Sequence, residues 1–169
     1  MKHSVLRAAV AVSLLATAGA AFAATKTATF QVTASVANNC FIDSASTLAF
    51  GAYDPSSAVP LDGTSNIVVR CTNKTPFTLS LNAGTTTGGT FANRLMTDGT
   101  DTLQYNLYTA AARTTVWGDG TASTGTVGGT GTGLSAGNAQ TTQVFGRIPV
   151  QPNAAVGSYT DTVTVTITY

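Results

Sequence analysis

Residues 28–36 alternate strictly. Ala28, Phe30, Val32, Ala34 and Val36 are apolar, and Thr29, Gln31, Thr33 and Ser35 are polar. A period of two marks an extended segment with one face meant for burial, because successive side chains of a strand point to opposite sides. Residues 161–169 repeat the pattern, with Val163, Val165, Ile167 and Tyr169 on one side and Thr162, Thr164, Thr166 and Thr168 on the other. Half-buried strands at both ends of the secreted chain predict sheet edges that something must cover.

The stretch between them reads the same way. Helix formers are scarce and threonine is abundant, at 32 residues, which favours extended structure. Further strands are expected over 47–50, 65–71, 77–82, 103–108 and 143–150, separated by turn residues such as Gly51, Pro55, Pro60 and Gly99. About seven short alternating strands without a convincing helix predict an all-β fold, an antiparallel β-sandwich. Residues 118–137, dense in Gly, Thr and Ser, read as a long exposed loop, mobile at its tip. Gly131, Gly133 and Ala136 match a dinucleotide-binding spacing, but the strand, helix and acidic residue that such a site needs are missing around them.

Residues 1–23 have the form of a secretory signal: Lys2 and Arg7, then a mostly apolar run, then Ala21-Phe22-Ala23. The apolar run is too short and too alanine-rich for a membrane anchor, and no later segment has 18 consecutive apolar residues. Cleavage leaves residues 24–169, a length that suits one domain. His3, the only histidine, leaves with the signal, and the chain has no glutamate. That closes the routes that need an imidazole base or ligand, and two cysteines cannot make a four-cysteine zinc site. No enzyme activity, cofactor or metal is expected. Six Lys and Arg face seven Asp after cleavage, so charge supports neither nucleic-acid nor anionic-membrane binding.

Cys40 and Cys71 remain in the exported chain, where an even pair reads as a disulfide. The alternative is two free thiols, with Arg70 making Cys71 the more reactive. Asp98, Asp101 and Asp119 suggest a carboxylate pair or a calcium site, but each lies in ordinary Asp–Gly turn chemistry. Trp117 reads as core or core rim rather than as a platform for sugar.

Several segments, in order, resemble a known family: Phe30-Gln31-Val32, Cys40, Leu48-Ala49-Phe50-Gly51-Ala52-Tyr53, and Val68-Val69-Arg70-Cys71. They continue with Leu103-Gln104-Tyr105-Asn106-Leu107-Tyr108, Val144-Phe145-Gly146-Arg147-Ile148 and Gly157-Ser158-Tyr159-Thr160-Asp161-Thr162-Val163. The chain is similar to the spore coat protein U domain, which also forms the subunits of archaic chaperone–usher pili. The resemblance implies an immunoglobulin-like sandwich that lacks its last strand and is completed by donor-strand exchange, with residues 24–36 as donor and 37–169 as sandwich. Ala28, Phe30, Val32, Ala34 and Val36 would enter a neighbouring subunit. Val163, Val165, Ile167 and Tyr169 would wall this subunit's own acceptor groove and bind a periplasmic chaperone until an outer-membrane usher brings the next subunit. Cys40 and Cys71 match the family's disulfide. The implied function is a structural fibre subunit on the cell surface, serving adhesion and biofilm formation. The alternative is a spore or cell-surface coat protein assembled without an usher.

Overall fold

The computed structural model describes residues 22–151 and 153–169. The expected signal over 1–23 therefore lies almost wholly outside the described residues. The chain divides after Ser35 into two units. In the first, residues 22–35 carry neither helix nor strand. The alternation of 28–36 is thus not expressed as an ordinary first strand.

Among its described residues the second unit holds eight strands: β1 (Cys40–Ala45), β2 (Leu61–Cys71), β3 (Pro76–Leu81), β4 (Arg94–Thr97), β5 (Thr102–Tyr108), β6 (Val127–Thr130), β7 (Gln140–Ile148) and β8 (Val165–Thr168). They form a five-stranded sheet in the order β1-β2-β7-β5-β4 and a three-stranded sheet in the order β6-β3-β8. Every strand pairing is antiparallel. The result is an all-β, immunoglobulin-like sandwich.

Side-chain period explains which faces meet. Ile67, Val69 and Cys71 of β2, Phe77, Leu79 and Leu81 of β3, and Leu103, Tyr105 and Leu107 of β5 are buried at every second position. Trp117 is fully buried among them, and its indole nitrogen donates to the Leu79 carbonyl at 3.0 Å. The solvent faces carry the charges: Arg70 grips both oxygens of Asp43 at 2.6 and 2.8 Å, and Arg147 grips Asp62 at 2.7 and 3.0 Å. Cys40 and Cys71 stand directly opposite in the β1–β2 ladder and are joined by a disulfide.

Four expectations need correction. Residues 47–50 are not a strand; they cross the β2–β7 face without ladder pairing. The stretch 118–137 is not one long loop, because Val127–Thr130 pairs with Pro76–Leu79 and Gly125 bridges to Trp117. Val127 is the one apolar side chain of this glycine-rich strand, so its sequence shows no alternation. β1 and β4 were not anticipated, since each is a short edge strand with little contrast between its faces. Of residues 161–169, only Val165–Thr168 form a strand.

Candidate functional site

β1 and β8 each end a sheet, so each keeps a free edge. The sandwich opens into a groove of about 950 Å³, which Ala45 at the end of β1 and Val165 at the start of β8 both line. Residues 45–53 line one wall and residues 154–163 with Val165 line the other; its floor includes Ile67, Leu81, Leu107, Val144 and Ile148 from both sheets. An apolar inter-sheet space open along one side is where a strand would lie in a closed sandwich.

The first wall is built on a glycine pair. Gly63 and Gly146 face each other across β2 and β7. A β-carbon at Gly146 would stand 2.8 Å from both Leu48 and Phe50, and one at Gly63 would stand 3.0 Å from Leu48. The bare backbone lets Leu48 and Phe50 lie flat on the sheet. Phe50 meets Tyr105 edge-on at 6.4 Å between ring centres. Tyr53 closes this end: its hydroxyl accepts from the Gln151 amide at 2.6 Å and donates to the Pro149 carbonyl at 3.2 Å. Gln151 then uses its own side-chain amide as a strand would, accepting from Gln104 N and donating to Gln104 O, both at 2.9 Å.

The second wall runs through Asp161 into β8. Val163 and Val165 line the groove. Ile167 pairs with Leu79 and packs against the core, whereas Tyr169 lies beyond β8 and is 53% exposed. Thr162, Thr164, Thr166 and Thr168 face solvent, as the alternation requires.

Asp161 accepts from Tyr105 OH at 2.6 Å, from the amides of Thr85 and Thr86 at 2.9 and 3.0 Å, and from both threonine hydroxyls. Burial pushes its carboxyl up, but these bonds outweigh burial and hold it below the usual carboxylate range. Burial, reinforced by the bond to Asp161, pushes the Tyr105 phenol well above its ordinary value. Arg94 is fully buried and has no carboxylate partner; it donates to Asn82 O twice, to Trp117 O and to Asn106 Oδ1, at 2.7–3.1 Å. Burial lowers its pKa, with Tyr105 and Asp161 opposing.

The donor residues named from the sequence stand apart from these groups in kind. Phe30, Val32 and Val36 are 87%, 81% and 83% exposed, and Ala28 and Ala34 are exposed too. The aspartates considered for chemistry serve turns: Asp98 accepts the amides of Thr100 and Asp101, and Asp119 that of Thr121. Among the described residues no three His, Cys, Asp or Glu side chains cluster. Sequence reasoning assigned no role to Leu48, Phe50, Tyr53 or Asp161, although all four lie in segments that carried the resemblance. Arg94 gave no signal, standing alone in a short mixed segment.

Residues 26–166 match the family described as Spore Coat Protein U domain. Protein U of Myxococcus xanthus is 36% identical over 184 aligned positions, which cover all of this chain and 98% of that protein. The fold is similar to a chain in the crystal structure of the CsuC–CsuE chaperone–tip adhesion subunit pre-assembly complex, from archaic chaperone-usher Csu pili of Acinetobacter baumannii. That match has a TM-score of 0.54 at 24% identity, over 79% of this chain and 40% of that one. This chain thus spans about 40% of that chain's length, and the likeness supports the fold.

Proposed function

We propose that this chain, which belongs to the Spore Coat Protein U domain family, is a structural subunit of a surface fibre rather than an enzyme. In this reading residues 28–36 of one copy fill the inter-sheet groove of the next. The observation that carries it is the open groove, reached by the ends of the unpaired edge strands β1 and β8, in a chain that also exposes a strictly alternating apolar row. A strand added there gains main-chain hydrogen bonds while alternate side chains fill the cleft. Burying Phe30, Val32 and Val36 contributes about 5–9 kcal/mol as an upper bound. Such a contact is head-to-tail and does not close, so it yields a filament.

Before assembly the groove and the β8 edge need a cover. A periplasmic chaperone fills that role in this reading, and an outer-membrane usher exchanges it for the next subunit. The chain passes through the periplasm to the cell surface, where the fibre serves attachment and biofilm formation. The solved fold neighbour comes from a chaperone–subunit complex, which supports this reading. Changing Phe30 and Val32 together to Asp is expected to abolish polymer, seen by electron microscopy, while chaperone co-purification persists. Normal polymer from that variant would contradict the donor role.

The second reading, a spore or cell-surface coat protein, is favoured by the family description and by the full-length likeness to Protein U. Chaperone and usher genes beside the locus support the fibre; their absence supports the coat.

A further inference from the structure

Asp161 sits where an apolar residue belongs. In the alternation of 161–165 it shares the inward row with Val163 and Val165, and with them it lines the groove. A carboxylate in an apolar wall costs desolvation unless its oxygens are bonded. Here they are bonded, but to the body of the protein: Tyr105 comes from β5 in the five-stranded sheet, and Thr85 and Thr86 follow β3 of the three-stranded sheet. The residue therefore ties the second wall to β5 and to the connection between β3 and β4. Gly84 makes room for it, since a β-carbon there would collide with the Asp161 carboxylate, and its φ of +94° suits glycine. The wall before it is held at its two ends, where Ala154 and Tyr159 pack against the core. Thr160 bridges Thr97, while residues 155–158 are exposed and Val156 is fully so.

Resting on the reading that the groove takes a strand, we propose that Asp161 is the positioning residue that holds the groove wall ready for an incoming strand. A preset wall lets the strand's hydrogen bonds form without first ordering residues 155–164, which raises affinity by removing an ordering cost.

The groups facing Asp161 are Tyr105 from β5, Arg94 from β4, and the neutral Thr85 and Thr86. Tyr105 and Arg94 keep their protonation states in acid, so Asp161 is the one of these that titrates below neutral pH. Its carboxyl is held low, so the tie is intact above the ordinary aspartate value of about 4 and is lost as pH falls below it. Asp98 lies against Gly157 of the same wall, and the amides of Asp101 and Thr100 hold its carboxyl low too, so it needs a control.

The test uses the full exported chain carrying Phe30→Asp and Val32→Asp, which leaves its groove free. Its affinity for a labelled peptide of residues 24–39 is measured from pH 7 to pH 3. Adding Asp161→Ala is expected to weaken peptide binding at least about tenfold at pH 7. Adding Asp161→Asn, which keeps the shape, is expected to weaken it less and to flatten the acid loss, whereas Asp98→Asn leaves that loss in place. If Asp161→Ala does not fold, Asp161→Asn and Tyr105→Phe carry the same comparison, each with a weaker affinity expected. Unchanged affinity and an unchanged pH profile in these variants, with the parent binding normally, would overturn the inference. A parent that takes no peptide would overturn the strand-receiving reading and this inference with it.

Discussion

Arg94 illustrates how one side chain can brace a small sandwich. Its guanidinium is buried with no carboxylate in direct contact, and four hydrogen bonds to oxygen join β4, the end of β3, β5 and the segment at Trp117. Guanidinium keeps its proton even when burial lowers its pKa, and its flat fork matches several acceptors at once. Arg94→Ala leaves the Asn82 and Trp117 carbonyls and Asn106 Oδ1 short of donors. It is expected to destabilise the fold by about 3–5 kcal/mol, measured by urea unfolding at pH 7. Arg70→Ala gives the contrast: its pair with Asp43 is solvent-screened, so a much smaller shift of the same unfolding curve is expected.

At the scale of elements, the β1–β2 hairpin is held by more than its ladder. β1 pairs with β2 alone and bears a register shift between Ile42 and Ser44. The disulfide at its first residue spans 31 positions. Replacing both cysteines with alanine is expected to lower stability by about 3–4 kcal/mol on the chain-entropy account, read from the unfolding midpoint. The segment after β1 has a different anchor, the bare backbone at Gly146. Gly146→Val would push into Leu48 and Phe50 and is expected to cost about 1–3 kcal/mol, with chemical-shift changes centred on 47–50.

The same elements show what could be read from residues alone. β2, β3, β5, β7 and part of β8 were legible, because each buries one face and so alternates. Residues 47–50 also alternate, but they owe this to lying on a glycine platform, and no partner strand bonds them. β6 pairs through backbone without apolar contrast, which made it invisible. The groove follows from how the sheets end, and sheet order is not written in local periodicity. Asp161 counted as the polar start of a strand, because its partners lie 56 and more positions away.

For the whole molecule, the account rests on a sandwich with one strand too few and a chain that carries a strand to spare. A groove of about 950 Å³ lined largely by aliphatic and aromatic side chains leaves apolar surface in water. A ligand that binds only the folded state raises its stability by mass action. The decisive measurement is therefore the unfolding free energy of the Phe30→Asp, Val32→Asp chain as a function of added peptide of residues 24–39. The account predicts a rise of about 1.4 kcal/mol for each tenfold increase in peptide above the dissociation constant, absent with a peptide bearing the same two Asp changes. A chain whose stability is independent of the peptide at every concentration would contradict it.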